Sequence, residues 1–395
     1  MGIYFFTAAI SSWLIWLEER IDSKNKNLKR FIIFLAILVP SLVAGMRSNQ
    51  MGTDVRTYVE PLQYFANSND NFNSYINYNG TLYNGQLFSR FEKGYVTLIY
   101  LCSRLDKGLF LTFFISEFII VSMTIFGLIK FNKKVHLSVC LGFFIFLAFF
   151  YNLSFNLVRQ CMAMFILLYA FNFLIRKEWI KYLIAVVIAM LFHISAIFAG
   201  LLILLIYYFL YSSEGKTKLK IGDLTIQNEE LKIFCIVLVG VIVLFLPSLI
   251  KSIFSSSIFS AYLNYIPDSI NLSMLQITIK LPFLLIILLE WNNMKDNPLR
   301  YFYLSIAIID ILLSQFSGQS SSASASHYGA RISWYTFVFY IYSIPSALMA
   351  DKNKNKRILL TIFLVLFLIA YWYIFTVVLN YNETFPYIFA RNLLN

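Results

Sequence analysis

The chain has 395 residues, of which 59% are hydrophobic and only 13% charged, and its mean hydropathy is +0.70. A soluble domain needs a wetted polar surface, so this composition excludes one and makes lipid the solvent. The net charge of +12 raises nucleic acid as a partner, but most of the charge falls in short loops between apolar runs, and no nucleic acid is expected.

In chain order, residues 3–17 form the first apolar stretch. No basic flank precedes it, no small-residue cleavage site follows it, and its positive charges come after it, so it reads as a retained helix that starts outside. The myristoylation pattern fails at Phe6. Strong apolar runs then cover 31–46, 110–129, 137–155, 158–175, 182–211, 231–249, 277–289, 301–316, 335–349 and 358–379. Each lies near the roughly 20 residues that cross about 30 Å of hydrocarbon, except 182–211, which holds two crossings turning near His193. The stretch 95–104 is too short to cross and reads as a re-entrant or interfacial helix.

Lys and Arg cluster at 20–30, 130–134, 176–181, 216–232, 295–300 and 352–357, and the positive-inside rule places these loops in the cytoplasm. The alternation then gives an all-α, polytopic integral membrane protein of about twelve crossings in a single transmembrane domain, both termini outside. Residues 46–109 form the largest extracytoplasmic segment and 317–333, rich in Ser, Gly and Ala, a second one whose composition predicts a lid or a linker.

In this topology sixteen of twenty Lys lie inside, whereas Arg47, Arg56, Arg90, Arg104, Arg159, Arg331 and Arg391, seven of twelve Arg, lie outside. A guanidinium is a permanently charged planar fork that matches phosphate oxygens, so outward Arg points to a phosphate-bearing ligand at the outer leaflet; headgroup anchoring is the plainer reading of any single one. Glu117, Arg159, His193, Lys280 and Asp310 fall in the outward halves of their helices, where ionisable groups are costly. Together they describe a polar cavity opening outward, with Arg159 and Lys280 as partners for Glu117 and Asp310. A transporter would place such charges near the midplane, in repeated halves, and no internal repeat is visible. Cys102, Cys140, Cys161 and Cys235 have no metal spacing, and neither a disulfide nor a metal site is expected. Asn79-Gly80-Thr81 is a glycosylation sequon in form only.

The outer face has no nucleotide triphosphate, and the chain has no Walker loop, dinucleotide fingerprint or Asp-x-Asp motif, so no cofactor is expected. Group transfer there needs an activated donor already in the membrane. A saccharide on a polyprenyl pyrophosphate is the obvious one, its leaving group stabilised by cationic Arg.

The outer segment reads Arg47-Ser48-Asn49-Gln50-Met51-Gly52-Thr53-Asp54-Val55-Arg56-Thr57-Tyr58, followed by Phe91-Glu92-Lys93-Gly94-Tyr95. Val158-Arg159-Gln160 then opens a helix, and Phe192-His193-Ile194-Ser195-Ala196 sits at an outward turn. In order and spacing these residues resemble the EpsG-like, Wzy-type polysaccharide polymerase family over residues 31–210, with Arg331 before an aromatic helix as a weaker echo. One departure is the short helix after Tyr95, interrupted by Arg104-Leu105-Asp106-Lys107-Gly108.

The resemblance implies a glycosyltransferase of a bacterial cytoplasmic membrane. It would join polyprenyl-pyrophosphate-linked oligosaccharide repeat units into capsular or exopolysaccharide at the extracytoplasmic face, beside chain-length regulators and other polysaccharide-assembly proteins. Its motifs mark Tyr58, Tyr95 and Gln160 for the substrate site.

The residues fit that chemistry. Arg47, Arg56, Arg159 and Arg331 are candidates to hold the pyrophosphate, Arg159 first because it begins an apolar helix below the surface; Lys280 and His327 join the substrate-binding set. Asp54, Glu92 and His193, and less strongly His327, are candidates to take the acceptor proton. Gly52 reads as a turn that holds Asp54 clear of the helix end. Tyr58, Tyr64, Phe65, Phe72, Tyr75, Tyr78, Tyr83 and Phe88, interleaved with Asn, suit a glycan, although Tyr also favours membrane interfaces. A glycan ligase, an acyltransferase and a lipid-linked oligosaccharide flippase are the alternatives.

Overall fold

The computed structural model describes residues 1–22, 24–210, 272–315 and 328–390, with short pieces between 219 and 245. It divides into two compact units, Met1–Ile197 with Thr361–Asn395, and Phe198–Leu360.

The first unit opens with α1 (Gly2–Arg20) and α2 (Lys26–Gly45). A segment follows that carries a π turn (Val55–Val59), α3 (Glu60–Asn67), α4 (Phe72–Ile76) and α5 (Lys93–Leu105). Then come α6 (Phe110–Asn132), α7 (Val139–Phe149), α8 (Tyr151–Asn156), α9 (Val158–Ile175), α10 (Trp179–Met190) and the start of α11 (Ala196–Leu210). Helix α2 packs on α1 and α6, and α9 packs on α6 and α10. Beyond its first turn helix α9 is apolar on nearly all sides and buries Cys161, Ala163, Phe165, Leu168 and Phe171, which makes it the centre of the bundle.

Where the apolar runs break, local chemistry explains it. The run 182–211 is two helices joined by a turn at 191–195, as its length requires. The run 137–155 is broken at Phe150 into α7 and α8. In α8 the Asn152 amide donates to Thr384 Oγ1 (2.9 Å) and accepts from the Trp372 indole N–H (2.8 Å), so a buried polar side chain is satisfied and fastens the carboxy-terminal tail. The stretch 95–104 lies within α5, and the interruption after it is a helix start: the Asp106 carboxylate accepts from the N–H groups of Gly108 (2.8 Å) and Leu111 (2.9 Å).

The tail after residue 379 crosses back over the end of the bundle. Ser48 N–H donates to Ile388 O (2.8 Å), Gly52 N–H to Glu383 O (3.1 Å) and Ala390 N–H to Met46 O (2.9 Å). The beginning of the 46–109 segment is therefore held by a strap from the far end of the chain, at a closure entropy that grows only logarithmically with the intervening length.

In the second unit a short antiparallel hairpin, β1 (Leu219–Ile221) with β2 (Leu224–Ile226), precedes α12 (Met274–Leu289), α13 (Arg300–Ser314), α14 (Tyr328–Phe337) and α15 (Tyr340–Ala350). Helix α16 (Lys354–Trp372) begins in this unit and ends in the first. Residues 328–333 of the predicted second loop are helical, and the run 335–349 is interrupted between α14 and α15. Most of the run 231–249 and all of 317–327 lie outside the described residues.

Among the described residues four helices, Lys26–Gly45, Phe110–Asn132, Val158–Ile175 and Lys354–Val378, are long and apolar enough to cross a membrane. Helices α10 and α16 leave Leu183, Ile184, Val187, Leu359, Phe363 and Leu366 exposed. Such contiguous apolar surface is tolerated only where the solvent is itself apolar, so the chain is a helical membrane protein.

Candidate functional site

One end of the first unit gathers Arg47, Asp54, Glu92, Arg159 and His193. The opposite end carries the lysine-rich turns, with Lys29 paired to Glu18 and Lys181 to Glu178.

Arg159 stands in the first turn of α9, and its Nη1 donates to Glu92 Oε2 at 2.5 Å. Its guanidinium lies over the rings of Phe91 (5.1 Å) and Tyr58 (5.2 Å), which shield it from water on those sides. The side chains of Arg159 and Glu92 are 16% and 13% exposed, so the pair is sheltered and still reachable. Sequence reasoning offered Glu117 as the partner of Arg159; the structure gives Glu92 instead, because Glu92 enters from the start of α5.

Glu92 precedes α5 without capping it through its side chain. Its second oxygen accepts the Ile194 N–H (3.1 Å), which ties it to the turn that carries His193. Close approach makes this possible. Gly94 N–H donates to Leu191 O (2.9 Å), and a Cβ on Gly94 would stand 2.6 Å from that oxygen. Glycine is therefore required for α5 to dock against the 191–195 turn. His193 Nδ1 lies 2.6 Å from Ser195 Oγ. The motifs quoted separately from the sequence, Glu92-Lys93-Gly94-Tyr95, Arg159 and His193-Ile194-Ser195, are thus one contiguous group.

Asp54 joins them through its field, which acts on both Arg159 and Tyr95. Its backbone N–H donates to Asn156 Oδ1 (3.0 Å) at the end of α8. Gly52 has φ +92°, and a Cβ there would meet Phe155 O at 3.0 Å, so the predicted turn is real and demands glycine on both counts.

Arg47 is different. It is 3% exposed and lies between the rings of Phe113 (4.1 Å) and Phe155 (4.2 Å). Its Nε and Nη1 have no hydrogen-bond partner among the described residues. Burial pushes its guanidinium pKa down to about 10, against the pull of the Glu117 charge, which leaves it a cation at neutral pH. Glu117 accepts from the Ser154 hydroxyl (2.7 Å), and its other oxygen has no partner among the described residues. Tyr95 lies between the fields of Arg47 and Arg159; it is fully buried and its hydroxyl also lacks a partner there. Gln160 is buried beside Arg159 on α9.

Arg56 points elsewhere: it pairs with Glu383 and donates to Gln50 O (2.9 Å), fastening the carboxy-terminal strap. Lys280 belongs to the second unit. There its Nζ donates to Asp310 Oδ1 (2.6 Å), as paired from the sequence, and to Ser333 Oγ (3.3 Å). His327 and the side chain of Arg331 lie outside the described residues. Among the described residues no cluster of His, Cys, Asp or Glu able to hold a metal ion is found.

Sequence reasoning missed Asn156, Phe91 as a ring under Arg159, and the strap with Glu383 and Thr384. Asn152 and Asn156, four apart in an aromatic run, were the available signal; the strap left none, since its backbone bonds carry no residue preference and its side-chain partners lie more than 200 residues away in sequence.

Beside the cluster, Tyr4, Ala8, Leu147, Tyr151, Leu368 and Trp372 line an almost wholly apolar cavity of about 150 Å³ at the same end of the unit.

No curated protein and no solved structure matches this chain. The model of the EpsG family matches residues 30–389, and the chain accordingly belongs to the EpsG family, a Wzy-like polysaccharide polymerase family.

Proposed function

We propose that the protein polymerises polyprenyl-pyrophosphate-linked oligosaccharide repeat units at the extracytoplasmic face of a bacterial plasma membrane. In this reaction the bond between the anomeric carbon of the growing glycan and its pyrophosphate oxygen breaks. A hydroxyl of a second lipid-linked unit forms the new glycosidic bond, its proton passes to a protein base, and polyprenyl pyrophosphate leaves.

The observation that carries this reading is Arg159, a sheltered but reachable guanidinium oriented by Glu92, with Asp54 and His193 at the same end of the bundle. A guanidinium has five N–H donors, so the bond to Glu92 leaves others for the pyrophosphate oxygens, where charge builds as the bond breaks. Glu92 acts as the positioning carboxylate. Asp54 and His193 are the groups suited to receive the acceptor proton. Buried Arg47 adds a second fixed positive charge below, and Tyr58 and Tyr95 frame the space between. The apolar cavity beside Tyr4 suits hydrocarbon from a lipid-borne substrate. The lysine-rich turns at the opposite end support a cytoplasmic assignment for that end.

The test is direct. Purified protein in proteoliposomes, given its host's lipid-linked repeat unit and no nucleotide sugar, should yield a ladder of lipid-linked products. A cysteine at exposed Ser68 should react with a membrane-impermeant maleimide on intact cells. Unchanged repeat units, or labelling only after permeabilisation, would overturn the assignment.

A further inference from the structure

The aromatic residues of the 46–109 segment divide sharply. Phe65 packs on Tyr75, Tyr78 and Phe88 at ring distances of 5.5, 4.5 and 5.5 Å, and Phe72 packs on Tyr100 at 5.1 Å. Tyr75, Phe88 and Tyr100 are buried and form the core of the segment, with Phe65 and Tyr78 half-buried against them and Phe72 at its exposed edge. Tyr64 and Tyr83 are the most exposed: they are 63% and 64% exposed and meet each other edge to face, 5.4 Å apart at 81°.

Local structure holds Tyr83 out. Leu82 N–H donates to Gln86 O (2.8 Å) and Gly85 N–H to Leu82 O (2.9 Å), with Gly85 at φ +80°, so residues 82–86 form a closed turn with Tyr83 at its tip. Leu82 is buried beneath it as an anchor. The Asn84 amide donates to Thr57 O (2.8 Å), which pins this turn to the residue preceding Tyr58, the ring under Arg159. The aromatic pair is therefore continuous with the candidate site and rigidly joined to it. Its neighbours are polar: the Glu60 charge acts on Tyr83, Asn84 is exposed, and Ser68 stands one turn from Tyr64. An acyl-chain contact would not be ringed by carboxylate, amide and hydroxyl, whereas a sugar needs both these groups and a ring face. The C–H face of a pyranose is apolar and carries partial positive hydrogens, which the negative face of a phenol ring attracts.

We infer that Tyr64 and Tyr83 form a saccharide platform that stacks pyranose rings of the glycan as it enters or leaves the Arg159 site. This rests on the polymerase reading for the identity of the glycan, and the platform extends that site away from the pyrophosphate, along the sugar chain. Asn84 and Glu60 would take hydroxyls beside the rings.

Two measurements separate the inference from its premise. Oligosaccharides released by partial acid hydrolysis from the host's own polysaccharide are titrated against the protein in nanodiscs, with binding read by saturation-transfer NMR. The Tyr64→Ala/Tyr83→Ala double variant should bind at least about tenfold more weakly, as expected for two lost stacking rings, and Tyr83→Trp should bind like wild type. In the ladder reaction the double variant should give shorter products and a raised KM for the repeat unit. Wild-type affinity in the double variant overturns the platform. So does a change confined to membrane insertion, which would make the tyrosines interfacial anchors. Loss of oligosaccharide binding in the variant, with no ladder from wild type, would sustain the platform and sink the polymerase reading.

Discussion

Two sheltered ion pairs among the described residues are of similar composition and opposite accessibility. Lys280 and Asp310 in the second unit are 3% and 0% exposed, and the lysine donates to Asp310, to its backbone carbonyl (3.1 Å) and to Ser333. Thr336 adds a further bond to Asp310 at 3.0 Å. Arg159 and Glu92 in the first unit keep a partly open face, and around them stand a second carboxylate, a histidine, two aromatic rings and a turn. A charge pair closed off from solvent holds helices in register. One that leaves donors facing a reachable space, with further ionisable groups beside it, is arranged for a ligand.

The sharpest way to break this comparison is Arg159→Ala, which should reduce polymer to background while the protein still inserts and purifies. Asp310→Ala should act on the fold instead. It leaves the Lys280 ammonium buried without its partner, at a cost of about 3–5 kcal/mol, and should be read as lost folded yield and lower Tm. Replacing both members, Lys280→Met with Asp310→Leu, removes the stranded charge and should restore yield. Gly94→Ala comes next: the new methyl collides with the Leu191 carbonyl, and overpacking of this kind costs about 1–3 kcal/mol, visible as reduced thermal stability with α5 undocked from His193. Arg56→Ala should have the smallest effect, within about 1 kcal/mol by thermal unfolding, since its pairing with Glu383 is solvent-exposed.

Membrane character and most helix positions were legible in the sequence because they follow from hydropathy and length, which bilayer physics constrains tightly. The candidate cluster was legible as separate motifs. Gly52 was readable as a turn, for which the structure gives a left-handed φ; Gly94 stood only as one residue of a motif, and its reason, a carbonyl in contact, needed the structure. What sequence could not give was pairing. Arg159 and Glu92 are 67 residues apart, and nothing in spacing favours Glu92 over Glu117. Nor does residue type distinguish Arg47, clamped between two rings, from Arg56, tied to the tail by an exposed bond. The aromatic richness of 46–109 was likewise readable only as a total, and packing divides it into a core and one displayed pair.

The proposed reaction needs Arg159 for chemistry and Lys280–Asp310 only for structure. The most direct measurement compares product ladders, per folded molecule in proteoliposomes, from Arg159→Ala and from the Lys280→Met/Asp310→Leu double variant. A ladder of wild-type length from the double variant and none from Arg159→Ala is the predicted result; a full ladder from Arg159→Ala contradicts it.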